Sequence, residues 1–287
     1  MNMRVLLKFA FVIALSLLET VIPIMAGPSE DTLTRPKPAD PERVRSLLDK
    51  LASDKCEIRR DTIYELYSAY AQADMMNFIS VFEKELATRQ NSAATKGRLV
   101  LRSLRQDVAF YQGRGWGDWM GSKLGRALSA PENQRQKEFQ NAKKELLRLV
   151  RDSKTTPETR AAAVGVMVYL VDHYGDPHGK AQRMGLPIAD WKKTLLDLLK
   201  DSDQQVALAV AIGISSMSSF KDVDKSQLVP KLINGLRHED FGTRLDALRA
   251  LTSVTGRQFC VDPTDELSAR AEGIAQWERW WQTTQKE

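Results

Sequence analysis

The chain has 287 residues, of which 43% are hydrophobic and 28% are charged, and its formal net charge is +5. This length is sufficient for a substantial buried core. Two cysteines are too few for the dense disulfide framework of a small secreted domain. The mild excess of basic residues permits an acidic partner but does not require one.

Residues 1–26 have the features of a signal peptide. Arg4 and Lys8 supply the positive start, residues 9–18 form a short apolar core, and Ala26 is a small residue suited to cleavage. The apolar core is too short to span a bilayer comfortably. We therefore predict export to the periplasm or the extracellular space, with no stable membrane span after cleavage. The alternative is anchoring by an uncleaved signal segment.

Residues 27–41 are rich in proline and polar residues, and this composition predicts a disordered linker. The folded domain is expected to occupy 42–287. Within it, an insertion at 107–137, a long loop at 172–190 and a cap at 257–287 depart from the pattern of the remainder.

Amphipathic helical pairs are predicted through most of this domain. In the last pair, Leu228, Leu232 and Leu236 recur along one helix face, Pro230 is expected in the first turn, and Gly256 is expected to end the pair. Each helix has one apolar stripe and is too short to be stable alone, so the pairs must stack on one another. The predicted pairs cover residues 44–70, 74–106, 139–174, 192–218 and 228–256.

Three of the pairs share one register. Leu51, Leu199 and Leu236 are each the last apolar residue of a first helix. In two of these pairs an arginine, Arg59 or Arg244, stands eight residues later in the second helix. Successive second helices are roughly 37 to 47 residues apart, close to the period of HEAT and armadillo repeats.

Residues 47–66, 195–214 and 232–251 resemble the HEAT-repeat motif LxxLxDxDxxVRxxAxxAL. The sequence LTSVTGRQFCVDP at 251–263, followed by WERWW at 277–281, is similar to the terminal repeat of exported bacterial HEAT-repeat proteins, which carry LTGxxFxxDP…WxxWW. The resemblance implies an all-α fold, an α-α superhelix (HEAT-like solenoid) of about five helical pairs with a C-terminal capping helix. It implies no particular function, because HEAT repeats serve many unrelated functions.

The cap and the cysteines were assigned from their positions in such a stack. Trp277 and Trp281 share a helix face and are expected to cover the apolar face of the last repeat, although contact of Trp280 or Trp281 with a ligand is an alternative. Cys56 and Cys260 lie near opposite ends of the repeat region. In an elongated stack they would be too far apart for a disulfide, so we expect two free thiols. A bond between them would require that the ends meet.

The two inserted segments are candidate binding loops, because insertions in repeat proteins usually leave the stack on one face. Trp116 and Trp119 lie among the glycines of the first insertion, where they would stack on sugar rings, anchor a protein partner, or fill the junction between repeats. The second contains residues of metal-ligand type, which are either incidental loop residues or a metal site. These residues are Asp172, His173, Asp176 and His178.

Other enzyme signatures are weak. His238 and Glu239 form a pair of the kind that deoxyhypusine hydroxylase, a HEAT-like enzyme, uses several times to bind two irons. A single pair excludes that enzyme, and no GxSxG, Walker or HExxH motif is present. We therefore predict a non-enzymatic protein without metal or cofactor. The alternative is a lyase-like or metal-dependent enzyme that uses the inserted loops.

A row of arginines on a predicted second helix is the leading candidate binding surface. Arg98, Arg102 and Arg105 are spaced i, i+4 and i+7, with Lys96 close by. Second helices usually line the concave surface of HEAT-like stacks, so the row predicts a basic groove for an acidic protein or an anionic polymer. The alternative is a solvated face.

Three other arginines near the starts of second helices are expected to be structural. Arg59, Arg160 and Arg244 would pair with aspartates of the turns, such as Asp54 and Asp240.

The sequence thus predicts an exported scaffold or adaptor that binds another protein through the surface of a helical solenoid. An acidic surface or a glycan is a possible partner class, and an envelope-polysaccharide-binding module is the alternative function. Predicted export and mild basicity disfavour nucleic acid.

Overall fold

A computed structural model of the protein describes residues 38–111, 131–174 and 188–285, apart from 216, 218 and 219. Over these residues the chain forms eleven α-helices and no β-strand, so the predicted all-α fold is confirmed. The helices are α1 (Pro41–Lys50), α2 (Cys56–Gln72), α3 (Met75–Ala87), α4 (Ser92–Tyr111), α5 (Glu132–Arg151), α6 (Pro157–Tyr174), α7 (Ile188–Leu198), α8 (Gln204–Ile214), α9 (Lys225–Gly235), α10 (Phe241–Thr255) and α11 (Leu267–Thr284).

The helices fall where the sequence predicts five pairs and a final single helix, except that α4 and α5 extend into the expected insertion (107–137) and α7 begins within the expected loop (172–190). Their superhelical stacking remains a prediction. The signal peptide (1–26), the centre of the first insertion (112–130) and most of the second (175–187) lie outside the described residues. No helix in the described part of the chain combines the length and the apolar character needed to cross a membrane.

The described chain begins slightly before the predicted boundary at residue 42. Asp40 caps α1, because its side chain accepts hydrogen bonds from the backbone N–H groups of Glu42 and Arg43. Ala39 is buried, and its N–H donates to Asn77 Oδ1 at 2.8 Å. The last residues of the predicted linker therefore belong to the folded unit.

Turn chemistry fixes the ends of the last pair. The Asp240 side chain accepts from the N–H of Thr243 at 3.0 Å, as expected of the N-cap of α10, and Gly256 follows that helix with a positive φ of 68°. The prediction that Pro230 lies in the first turn of its helix is wrong. Asp224 accepts from the N–H of Ser226 and α9 begins at Lys225, so Pro230 lies inside the helix rather than in its first turn.

The domain expected over 42–287 divides into two compact units. Among the described residues, the terminal unit comprises 38–108, 233–248 and 256–285. The central unit comprises 109–111, 131–232 and 249–255, again with the gaps given above. The terminal unit thus contains both the first and the last helices of the described chain.

The terminal unit contains a hydrophobic core cluster that joins its first helices to the start of α10. Its largest fully buried side chains from the first pairs include Leu48, Phe78 and Phe82, and the start of α10 contributes Phe241 and Leu245 to the same cluster. Since α10 is far from α1–α4 in sequence, this core holds together segments from opposite ends of the chain.

The central unit is organised around α6 and α8, which pack on each other. All nine residues from Val206 to Ile214 are buried, so α8 has no open face. The contact is close: a Cβ added at Gly213 would lie 2.5 Å from a methyl group of Val168. We expected second helices to line an open concave surface, and α8 does not fit that expectation.

The expectation of two free thiols is wrong, because Cys56 and Cys260 form a disulfide with their Cα atoms 6.0 Å apart. The reasoning failed on the assumption of an elongated stack. The segment after α10 lies against the start of α2, so residues 204 positions apart in sequence are neighbours in the terminal unit. Both cysteine side chains are half-buried.

α11 holds this segment in place from the other side. A Cβ added at Gly273 would lie 2.0 Å from the Cys260 carbonyl oxygen, so only glycine permits the helix to approach this closely. One helical turn later, Trp277 is completely buried, with its ring centroid 4.8 Å from that of Phe259 in an edge-to-face contact.

We expect the Gly273→Ala variant to lose about 1–3 kcal/mol of unfolding free energy, because the added methyl group overpacks the contact with Cys260. Helix propensity alone predicts the opposite sign, a gain of about 1 kcal/mol. Urea denaturation measures the difference. Ala271→Gly, at an exposed position of the same helix, is the control and should cost about 1 kcal/mol through propensity. A stabilised Gly273→Ala protein would contradict the close approach.

Candidate functional site

The arginine row occupies the exposed face of α4. Arg98, Arg102 and Arg105 are all exposed, while Val100 and Leu104 between them are fully buried. Arg105 is paired with Glu83 on α3, with a closest N–O distance of 2.6 Å. The described residues provide no ion-pair partner for Arg98 or Arg102. Two cations of the row are therefore available on a rigid helix whose other side is in the core.

Lys96, expected near the row, points elsewhere. Its Nζ donates to Asp262 Oδ2 at 3.0 Å, to Thr264 Oγ1 at 3.2 Å and to Asp265. Its side chain is only 15% exposed. Lys96 therefore belongs to a buried charge cluster rather than to a binding surface.

The charge cluster, defined as Arg59, Lys96, Asp262, Thr264 and Asp265, lies beside the disulfide. Arg59 Nε donates to Asp262 Oδ2 at 2.6 Å, and Arg59 Nη2 donates to Asp265 Oδ2 at 3.1 Å. Thr264 donates to Asp262 Oδ1 from both its backbone N–H and its hydroxyl. The Asp262 side chain has no exposed area, and two cations and two aspartates balance one another in charge.

These contacts determine the ionisation of Asp262. Burial by itself would raise the pKa of this carboxyl, but the hydrogen bonds from Thr264 and Arg59 and the charge of Lys96 outweigh it, so the pKa lies below its ordinary value. Burial would likewise lower the pKa of Arg59, but its bonds to Asp262 and Asp265 raise it. Both shifts favour the charged forms of Asp262 and Arg59, whose hydrogen-bonding groups are occupied by other members of the cluster.

The structural arginines share a position that the sequence pattern showed only in part. Arg59, Arg160 and Arg244 are each the fourth residue of their helix, and so is Arg270 in α11. Each guanidinium donates to a backbone carbonyl shortly before its own helix. For three of them this carbonyl lies in the preceding turn: Ser53 and Asp54 for Arg59, His238 and Glu239 for Arg244, and Asp265 for Arg270. Arg160 instead donates to the Val150 carbonyl in the last turn of α5.

Each of these guanidinium groups also reaches a second segment. Arg160 Nη2 donates to Asp201 Oδ2, Arg244 Nε donates to the Pro263 carbonyl at 2.8 Å, and Arg270 donates to the Leu236 carbonyl. For Arg59, the expected turn aspartate Asp54 contributes its backbone carbonyl, while the carboxylate partners come from Asp262 and Asp265. The arginines therefore fasten helix starts to turns and leave no free guanidinium for a ligand at these sites.

The tryptophans are divided between described and undescribed parts of the chain. Trp277 is buried in the terminal unit, and Trp281 is half-buried with its ring centroid 6.0 Å from that of Trp280. Trp116 and Trp119 lie outside the described residues, so their predicted contact with a glycan or a protein remains a prediction.

The structure does not describe the side chains of the candidate metal-binding residues. The side chains of Asp172 and His173, and the whole of Asp176 and His178, are outside the described part of the chain. Over the described residues, no three His, Cys, Asp or Glu side chains are placed to hold a metal ion. His238 Nδ1 accepts from the Asp240 N–H at 3.0 Å, and burial lowers its pKa although Asp240 and Glu239 oppose the shift.

The cluster residues were missed by the sequence interpretation, except for Arg59. Lys96 looked like a member of the arginine row, and Asp262, Pro263 and Thr264 were interpreted only as a turn and helix start. The available signal was the pair of aspartates, Asp262 and Asp265, three positions apart. Arg270 could have been recognised as a structural arginine, because it is the fourth residue of its helix, as Arg59, Arg160 and Arg244 are of theirs.

Comparison with known proteins does not assign the chain to a family. No family model matches the chain, and no curated protein matches it. Among solved structures, the crystal structure of an engineered protein from the Northeast Structural Genomics Consortium is 18% identical. That match covers 75% of this chain and 99% of the engineered one, with a TM-score of 0.30.

We expect Asp262→Asn to lower the unfolding free energy at pH 7 by about 3–5 kcal/mol, because it leaves Arg59 and Lys96 with less counter-charge in a buried site. The pKa of Asp262 is lower in the folded than in the unfolded state, so its ionisation stabilises the fold above about pH 4, and this contribution is lost as the pH falls through the folded pKa. Urea denaturation from pH 7 to pH 3 should therefore show the gap between wild type and variant shrinking.

The matched control is Asp197→Asn, at an exposed position of α7, which should change stability by less than about 0.5 kcal/mol. A gap between wild type and Asp262→Asn that stays constant down to pH 3 would show that the Asp262 charge does not stabilise the fold.

Proposed function

We propose that this protein is an exported, non-enzymatic scaffold that binds another protein through the arginine row of α4. The observation that carries the proposal is the exposure of Arg98 and Arg102 on a helix held by buried contacts on its opposite side. Arginine suits such a role because its planar guanidinium forms paired hydrogen bonds with carboxylates. The partner would present acidic side chains to the row.

The rigidity of α4 supports a recognition role. Ser103 shares a 2.6 Å hydrogen bond with Tyr67 in the interior, and Lys96 is fixed in the charge cluster. An exposed residue on such a helix loses little backbone freedom when a partner binds. Arg105 contributes less, because its pairing with Glu83 already neutralises its charge.

The disulfide supports the exported part of the proposal. Disulfides persist in the periplasm and outside the cell, whereas the reducing agents of the cytosol keep thiols reduced. A bond between Cys56 and Cys260 is therefore what an oxidising compartment would produce. Arg59, Arg160 and Arg244 do not extend the basic surface of α4 to other second helices, because their guanidinium groups bind backbone carbonyls.

The test is charge reversal of the two available arginines. The double variant R98E/R102E should weaken capture of the partner from the exported fraction by about tenfold or more, because attraction to acidic groups becomes repulsion. Affinity purification with quantitative mass spectrometry identifies proteins whose recovery falls, and titration of the purified partner gives the change in Kd.

The control is K193E/K200E, which makes the same change in net charge at exposed positions of α7 and its end. It should leave partner capture unchanged. If both double variants capture the same proteins in the same amounts as wild type, the arginine row is not the binding surface.

A further inference from the structure

The exposed face of α2 carries charge opposite to that of the arginine row. Ile58, Asp61 and Glu65 are spaced i, i+3 and i+7, so they share one face, which we call the acidic stripe. The side chains of Asp61 and Glu65 are 57% and 51% exposed, and Ile58 is one of the exposed large hydrophobic residues. The stripe therefore combines two carboxylates with an apolar side chain.

Contacts near the start and further along show that α2 and α4 are neighbours that run in the same direction. Near their starts, Arg59 of α2 and Lys96 of α4 both bind Asp262 Oδ2. Further along, Tyr67 of α2 and Ser103 of α4 share a buried hydrogen bond of 2.6 Å. Residues at the same height on the two helices are therefore 36 or 37 positions apart in the sequence.

The same offset places opposite charges at the same height. Asp61 and Arg98 are 37 positions apart, and so are Glu65 and Arg102. Each carboxylate of the acidic stripe is therefore level with an arginine of the neighbouring row, to within about one residue, or 1.5 Å along the helix axis.

The stripe and the row face the same side. Each residue of an α-helix is rotated by about 100° from the one before it. Viewed along each helix axis from its first residue, Ser103 therefore lies about 100° clockwise from Arg102, and Tyr67 lies about 160° anticlockwise from Glu65. The helices therefore touch through opposite flanks. Side-by-side helices in contact through opposite flanks present their remaining faces in one direction.

A surface with this pattern is complementary to itself. A two-fold axis parallel to the helices and midway between them places α2 of one copy opposite α4 of the other. Asp61 of each copy then faces Arg98 of the other at the same height, and Glu65 faces Arg102. Symmetry repeats both contacts, so one pairing forms four ion pairs and brings the two Ile58 side chains into the same interface.

We propose that the acidic partner of the arginine row is a second copy of this chain, bound through the acidic stripe in a two-fold dimer; this rests on the proposed function of the row. Local cations compete for the stripe: Asp61 pairs with Arg60 at 2.8 Å, and Glu65 approaches Lys50 at 3.8 Å. Such exposed pairs contribute about 0–1 kcal/mol each, so they do not prevent exchange for partners across an interface.

The experiment uses two variants of the full exported chain. D61R/E65R makes both faces basic, and R98E/R102E makes both faces acidic. Analytical ultracentrifugation should give a dimer for wild type at about 0.05 M salt, and the dimer should weaken at about 0.5 M salt because the charges are exposed. Each variant alone should be a monomer. Their equimolar mixture should form a heterodimer, because all four facing pairs then become attractive.

A monomeric wild type, a variant that still dimerises alone, or a mixture that stays monomeric would each overturn the proposal. Helical content by circular dichroism verifies folding. If a reversal variant does not fold, the charge-preserving R102K replaces it: carbodiimide should then link position 102 to Glu65. Mixing isotope-labelled with unlabelled chains distinguishes a link between copies from one within a chain, and links only within a chain would overturn the proposal.

The same proteins separate this inference from the proposed function. If wild type is monomeric while R98E/R102E loses a captured protein and K193E/K200E does not, the arginine row binds a different partner and only the dimer is wrong. If wild type is monomeric and R98E/R102E loses nothing, both are wrong.

Discussion

The terminal unit depends on one constraint: the start of α2 is tied to the segment between α10 and α11. The tie has a covalent part, the Cys56–Cys260 disulfide, and an ionic part, in which Arg59 and Lys96 surround the buried Asp262. Removing one partner from a buried ion pair costs about 3–5 kcal/mol, and closing a long loop by a disulfide contributes about 2–4 kcal/mol. The two parts together make closure a large share of the stability expected for a domain of ordinary size.

This closure distinguishes the terminal unit from an open repeat stack. In an open repeat stack each unit contacts its neighbours in sequence, whereas here the first described pair shares a core with the start of α10 and is fastened to the segment that follows it. Arg59, the fourth residue of α2, illustrates this difference from an open stack. It binds its own turn, as Arg244 does, but its carboxylate partners come from the other end of the chain. Positioned by the same contacts, α2 and α4 present the acidic stripe and the arginine row.

The helices were predictable because their cause is local. Apolar periodicity, the Asp240 cap and Gly256 act within a few residues, and the structure has helical pairs where those signals stand. The disulfide and the charge cluster were not predictable by the same means. They depend on which distant segments meet, and neither the spacing of Cys56 and Cys260 nor the motif around Asp262 encodes that meeting. Exposure of Arg98 and Arg102 followed from their spacing, whereas the inward direction of Lys96 depended on two aspartates far along the chain.

Closure of the terminal unit is tested most directly by mapping the cysteines of the purified protein. The native protein is alkylated without reductant, unfolded and digested, and its peptides are identified by mass spectrometry. The account predicts no alkylated cysteine and one peptide pair joined through Cys56 and Cys260 within a single chain. Two alkylated cysteines, or a pair joined only between chains, would contradict it.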